Sequence, residues 1–151
     1  VAEFPASPED NRLAFAEAVF GQIWSGKTLG LVAKYYDFRA AGYFPNNRNF
    51  YGHDDFIQFL EQLFEAIPDA TLRVEHVADV PYLGDARDIS VRWSLAGTHT
   101  GDGIYGTASG ALIYIIGVTQ WRIINGQIHS DWTVWDDLAV RRQIEEHRLS
   151  R

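Results

Sequence analysis

The chain has 151 residues, 46% of them apolar and 22% charged, with a formal net charge of -7 and no cysteine. That length suits one domain, 1–151, with a substantial core. The negative charge argues against non-specific binding of nucleic-acid phosphates, and the missing cysteines exclude disulfides, thiolate metal sites and a cysteine nucleophile. The longest apolar run, Ala111 to Val118, is too short to span a bilayer. The N-terminal stretch lacks the basic-then-apolar order of a secretory signal, so a cytoplasmic setting is expected. The chain has no methionine at all, which suggests a trimmed N-terminus.

Ser7-Pro8-Glu9-Asp10 reads as a helix start, with Ser7 as N-cap and Pro8 at the first helical position. Leu13, Ala16, Phe20 and Trp24 follow at helical spacing, and Gly26 ends the run. A short second helix is expected over Leu29 to Tyr36. Asp37 to Tyr51 is rich in Gly, Pro, Asn and aromatic residues and reads as a loop able to roof a cavity. A third helix opens at Gly52 with the face Phe56, Phe59, Leu60, Leu63 and Phe64, and stops before Pro68.

Strand patterns follow. Ala70 to Ala78 alternates, placing Leu72, Val74 and His76 on one face, and Asp88 to His99 alternates Ile89, Val91, Trp93 and Leu95 against polar residues. Gly101 to Gly110 is a Gly-rich connection with no Lys and no following helix, so it is no phosphate loop. Two long strands, near Ala111–Ile124 and Gln127–Asp136, meet at Asn125-Gly126. A final helix, with Asp136-Asp137 at its start and Leu138, Arg141 and Ile144 leaning inward, ends the chain. Helices first and strands afterwards define an α+β class. The last two strands are apolar on both faces, although an antiparallel sheet with one wet face should alternate. That predicts helices over one face and a second copy of the chain over the other, a homodimer through the open face of the sheet.

The last strand carries the chemistry. His129 and Asp131 lie two residues apart, and so on one face of a regular strand, on a wall of Trp121, Trp132 and Trp135. A carboxylate there costs free energy unless it is paired or used. Its direction depends on the turn. A tight two-residue turn at Asn125-Gly126 sets Gln120 opposite Asp131 and leaves Asp131 paired with Arg122 on the outer face. A three-residue turn with Gly126 as a bulge puts Asp131 in the interior beside Thr119, Trp121 and Thr133. In the interior its pKa would rise toward the range useful for proton transfer. Nothing supplies the remaining ligands for a metal at His129 and Asp131. His53 at the start of the third helix reads as a capping residue. Arg92 could clamp an acidic substrate or form a salt bridge across a dimer.

The order and spacing of Gly52, Ile67-Pro68-Asp69, Val91-Arg92-Trp93, Gly97-Thr98-His99-Thr100-Gly101, Trp121-Arg122-Ile123, Gly126-Gln127-Ile128, Trp135-Asp136 and Arg142-Gln143-Ile144 resemble the SnoaL-like polyketide cyclases, within the nuclear transport factor two-like superfamily. The resemblance implies a cone-shaped domain with N-terminal helices packed on a curved antiparallel sheet. It also implies an enzyme without metal or cofactor, acting on a small apolar, cyclic or polyketide-like molecule by acid/base proton transfer. In the cyclases the acid lies on the last strand seven residues after the turn glycine, which is Thr133 here; a pocket histidine lies seven before it, which is Thr119 here. His99 matches a histidine found in cyclases.

Together these readings nominate Asp131 as acid/base with His129 or His99 assisting, and Trp121, Thr119, Thr133, Trp135, Tyr36 and Tyr51 as substrate-binding. The expected reaction is cyclisation, isomerisation or dehydration. A non-catalytic binding or dimerisation module and an epoxide-hydrolase-like hydrolase are the alternatives.

Overall fold

A computed structural model describes residues 12–150; Ser7 and Pro8, the expected helix start, lie outside these residues. Helix α1 (Arg12–Val19) buries Phe15, Ala16, Ala18 and Val19. It runs on into one π-helical turn, Phe20–Ser25, closed where the Gly26 N–H donates to the Gly21 carbonyl at 2.8 Å. A 3-10 turn, Leu29–Leu31, leads into the short α2 (Val32–Tyr35). Strands β1 (Tyr36–Phe44) and β2 (Arg48–Tyr51) come next, followed by α3 (Gly52–Ala66). Strands β3 (Thr71–Pro81), β4 (Arg87–Thr98), β5 (Leu112–Ile124) and β6 (Gln127–Trp135) precede α4 (Asp137–Leu149). No described helix is long and apolar enough to cross a membrane.

The sheet runs β2-β1-β6-β5-β4-β3. The expected meander is there, but the sheet is mixed rather than purely antiparallel, because β1 lies parallel to β6. Residues 37–51, expected to be a loop, supply β1 and β2. Their breaker residues have specific places in the hairpin. Asn46 and Asn47 take positive φ, 66° and 57°, in the connection, a conformation asparagine tolerates. Gly42 sits opposite Phe50, whose ring crosses the strand so closely that a Cβ at Gly42 would fall 1.8 Å from it. The glycine is therefore a packing device within a strand, and composition alone misread it.

The concave face carries the core. Ile89, Val91, Trp93 and Leu95 point into it from β4, and Ile113, Ile115, Thr119 and Trp121 from β5. Helix α1, the π-helical turn and α3 cover that face with rings. Phe20 stacks on Trp121 at 5.1 Å, and Phe56 stacks on Phe50 at 4.2 Å. Two details depart from the expected alternation. A register shift between Val74 and His76 in β3 leaves His76 exposed instead of in line with Leu72. In α4 the buried residues are Val140 and Ile144, while Leu138 faces solvent at 63% exposure.

The convex face is apolar and open: Leu112, Tyr114, Ile116, Val118 and Val134 are all exposed. Both faces of β5 are thus apolar, as its sequence indicates. At its N-terminal half β5 extends beyond β6, and the Gln143 side chain from α4 takes the place of a strand there. It accepts from the Tyr114 N–H and donates to the Tyr114 carbonyl, both at 2.9 Å.

Gly117 lies opposite Trp93, and a Cβ there would sit 2.2 Å from the indole. The indole has no room to move aside, since Phe20, Trp24 and Trp135 surround it. Gly117→Ala is expected to cost about 1–3 kcal/mol in urea unfolding. Gly21→Ala, whose Cβ meets nothing within 4 Å, should fall within about 1 kcal/mol of the parent or above it.

Candidate active site

The position of Asp131 is decided by two local features of the β5–β6 hairpin. Asn125 and Gly126 both take positive φ, 52° and 78°, which makes the tight two-residue turn that Asn-Gly favours. On that register alone Asp131 would face outward. The ladder then slips: Ile123 pairs with Ile128, but Arg122 pairs with Ser130. His129 is the extra residue of a β-bulge, which reverses the alternation of everything after it. Asp131 becomes the partner of Trp121, Thr133 the partner of Thr119, and all four point inward. The interior position expected from a bulged turn is reached, but the bulge sits at His129 rather than Gly126.

Asp131 is 2% exposed. Its Oδ2 accepts from the Tyr36 hydroxyl at 2.7 Å and from the Trp121 indole N–H at 3.1 Å; its Oδ1 accepts from the Thr133 hydroxyl at 2.6 Å. Thr133 is in turn bonded to Thr119 at 2.8 Å, and the Trp93 indole N–H donates to Thr119 at 3.0 Å. Burial pushes the Asp131 carboxyl up to about 6, against the pull of Thr133, Tyr36 and Trp121. Burial and the neighbouring Asp131 also hold the Tyr36 hydroxyl well above its ordinary value, so it keeps its proton. The arrangement can keep an acid near its midpoint at neutral pH inside an aromatic enclosure.

The other nominated residues separate. Tyr36, Trp121, Thr119, Thr133 and Trp135 all lie on the concave side and are buried. His129 does not: the bulge turns it away from Asp131, with Nε2 3.7 Å from Asp37 and its side chain about one-third exposed. His99 is fully buried, but at the other end of β4. The Asp131 level of the sheet, Trp121 opposite Ile89, lies nine residues along β4 from Thr98, roughly 30 Å of strand. There its Nδ1 bonds Ser109 Oγ at 2.8 Å, and burial draws its pKa down. It closes the connection between β4 and β5 and takes no part with Asp131. Tyr51 is 62% exposed at the end of β2, so it does not line the interior.

The alternative outer-face pairing is also overturned. Arg122 forms a two-point ion pair with Asp88, at 2.9 and 3.1 Å, and not with Asp131. Arg92 is exposed, away from the interior. His53 bonds the Tyr36 carbonyl through Nε2 at 2.8 Å instead of capping its helix, and so ties α3 to the strand that carries Tyr36. Asp136 does cap α4, accepting from the Ala139 N–H at 3.0 Å, whereas Asp137 gathers Tyr105, Trp135, Arg48 and Arg141 at the β6–α4 junction. Trp93 was expected on the apolar face of its strand, but its part in this network was missed. Its signal was available: a buried indole N–H needs an acceptor, and Trp93 points inward one strand from Thr119. Among the described residues no group of three or more His, Asp or Glu could hold a metal ion. Two clefts of about 520 Å³ and one of about 220 Å³ open on the surface; Thr133 and Trp132 line one of the larger two, and Asp131 lines none of the three.

A curved sheet closed on its concave side by helices, with a buried acid among rings, defines a small α+β enclosure of the nuclear transport factor two-like kind. The model of the SnoaL-like polyketide cyclases matches residues 15–144, and the chain belongs to that family. No curated protein matches it. Among solved structures, a candidate SnoaL-like polyketide cyclase from Jannaschia sp. CCS1 shares 22% identity, covering 95% of this chain and 96% of its own, with a TM-score of 0.77. A candidate polyketide cyclase from Acidithiobacillus ferrooxidans shares 18%, covering 97% and 99%, with a TM-score of 0.73. AclR, a candidate hydroxylase from Streptomyces galilaeus, shares 17%, covering 93% and 83%, with a TM-score of 0.74. At these identities the likeness establishes the fold.

The raised Asp131 pKa has a consequence for stability. The native carboxyl binds its proton more tightly than the unfolded chain's, whose ordinary value is 3.8. Its contribution is therefore fully present below about pH 4 and lost as pH rises through about 6. Asp131→Asn does not ionise. Its stability relative to the parent should rise between pH 4 and 8, by up to about 3 kcal/mol, measured by urea unfolding across that range. His129→Ala should cost less than about 1 kcal/mol, as expected of a long, partly exposed pair near the surface.

Proposed function

We propose that the protein is a cofactor-independent acid/base enzyme acting on a small apolar molecule, cyclic or polyketide-like, that carries an acidic C–H beside a carbonyl. One observation carries the reading: a buried carboxyl group, poised near neutral pH, faces an enclosure of aromatic side chains. The ionised Asp131 would take the proton from carbon, leaving the electron pair as an enolate. Returning that proton at another position gives isomerisation. Attack of the enolate carbon on a second carbonyl gives ring closure, and loss of a β-hydroxyl gives dehydration. The aromatic walls favour a flat apolar ligand. Access requires the cover to move, since Phe15 and Phe20 both rest on Trp121; local opening of that segment would admit a ligand.

A second reading has its own support. Thr133 and Thr119 occupy the positions where the cyclases carry their acid and histidine, and they are bonded to each other. A chain that keeps the enclosure without the chemistry, as a binding module, fits that replacement. The hydrolase alternative gains less: the donors to Asp131 are two aromatic side chains and a hydroxyl, with no guanidinium.

Deuterium uptake at the activated carbon of a panel of enolisable cyclic and polyketide-like ketones separates the readings. The parent protein should catalyse the exchange, with a rate that rises through about pH 6 as Asp131 ionises. Asp131→Asn should lose it by roughly 10²-fold or more, as expected for a lost general base, while circular dichroism shows an intact fold. Binding without exchange by the parent protein would favour the module.

The exposed apolar row Leu112, Tyr114, Ile116 and Val118, continued by Val134 on β6, supports a homodimer through the convex face, since contiguous apolar patches of this kind mark interaction sites. Sedimentation should give a dimer that Ile116→Lys converts to monomer without loss of secondary structure; a monomeric parent protein would dismiss the pairing.

A further inference from the structure

The hydrogen bonds around Asp131 have a direction that the distances alone do not convey. An indole N–H is a donor and never an acceptor, and a threonine hydroxyl has one proton to give. Trp93 donates to Thr119 Oγ1. Thr119 and Thr133 are both buried, at 1% and 4% exposure, and among the described residues the Thr119 hydroxyl has no acceptor besides Thr133. Thr119 therefore gives its proton to Thr133, and Thr133 gives its own to Asp131 Oδ1. The chain Trp93, Thr119, Thr133 runs one way and ends on Oδ1. Placing a proton on Oδ1 would reverse it. Thr119 would then receive from both sides, and its own proton would have no partner in the interior, a cost of the size expected for an unsatisfied buried group.

The Oδ2 side is built differently. Trp121 is again a fixed donor, and a protonated oxygen can still accept from it. Tyr36 is a hydroxyl with a free choice of role. If Oδ2 carries the proton, Tyr36 accepts it and its own proton is released at the open end of the network, where a ligand oxygen can meet it, whereas the Thr119 proton would be released between Trp93 and Thr133, where no ligand reaches. We infer, on the footing of the acid/base reading, that Trp93, Thr119 and Thr133 close Oδ1 and make Oδ2 the oxygen through which Asp131 exchanges its proton. Tyr36 is then the hydroxyl that meets an oxygen of the ligand. The three relay residues are positioning residues: they fix which oxygen reacts without touching the substrate.

The same chain defines what the site accepts. In the acid form the Tyr36 proton needs an acceptor, and the surrounding Phe50 and Phe56 rings offer none. The ligand must present a carbonyl or enolate oxygen at Tyr36. When Asp131 takes a proton from carbon, the new O–H bond forms at Oδ2, the C–H electron pair moves into the ligand as an enolate, and the Tyr36 hydroxyl donates to the enolate oxygen. Return of the proton reverses each change, so charge and protons balance without any further reactant.

Neutron diffraction of the perdeuterated protein soaked with cyclohexanone, whose carbonyl offers the Tyr36 hydroxyl an acceptor, at about pH 5, below the Asp131 value near 6, tests the assignment directly. Deuterium on Oδ2, with Thr133 still donating to Oδ1, is the expected result. Deuterium on Oδ1, or a reversed Thr119–Thr133 pair, would overturn the proposal even if Asp131 proves to be the catalytic base. A second measurement needs no crystal. In Thr133→Val the carboxylate loses its Oδ1 donor, and the Asp131 pKa, followed by carbon-13 NMR, should rise by roughly one to two units; Thr133→Ser should restore it. An unchanged pKa in Thr133→Val would remove the relay, whereas failure of Asp131→Asn to affect exchange would remove the acid/base reading and leave the relay standing.

Discussion

A carboxyl group taken out of water must find donors, and in this fold three different elements supply them to one side chain. Tyr36 comes from β1, Trp121 from β5 and Thr133 from β6. The strands that carry them are adjacent in the sheet, and the helices lie over them. Desolvation raises the Asp131 pKa and the donors lower it; burial dominates, and the group settles near 6. Fewer donors would leave it a neutral acid at physiological pH, and a cation beside it would leave it a permanent anion. The balance is what gives the group a chemical use.

That balance depends on one residue of excess backbone. The Asn125-Gly126 turn sets a register that would turn Asp131 outward, and the bulge at His129 turns it back. Strand β1 has an irregularity against the same stretch of β6, between Tyr36 and Ala41. Tyr36 and Asp131 therefore meet where both strands leave regular pairing, a place where bulges commonly re-aim a side chain. The bulge also removes His129 from the site, since the extra residue cannot share the inward alternation. The Thr119–Thr133 pair is drawn into the same network, so its hydroxyls tune an acid placed two residues before Thr133 on the strand.

Much of this was legible in the amino-acid sequence. Helical spacing gave α1 and α3, alternation gave β3 and β4, and the two long apolar runs meeting at Asn125-Gly126 gave β5 and β6; the apolar character of both faces of β5 is seen in the structure, with helices over the concave side. Of the residues nominated for the interior, Tyr36, Trp121, Thr119, Thr133 and Trp135 are buried and Tyr51 is not; for Asp131 the sequence left two directions open, which only the turn and bulge decide. The errors share a cause. His129 was joined to Asp131 by strict period-two counting, which a single inserted residue defeats. Strands β1 and β2 were hidden because Gly42 is there for the Phe50 ring and Asn46-Asn47 for the connection, and local composition cannot tell such uses from a loop. His99 was carried in by likeness to a family motif, yet it lies at the far end of β4 from Asp131; position in the ladder decides which residues share a site, and a motif does not convey it. Trp93 was read as core alone because its N–H partner lies on a neighbouring strand.

The account stands on the state of one side chain, and carbon-13 NMR of the Asp131 carboxyl, assigned with Asp131→Asn, reports it directly. A titration midpoint near 6 in the folded protein, as its burial dictates, is the predicted result. A midpoint at or below the ordinary 3.8 would mean that water or a cation reaches the carboxylate, and would contradict the account.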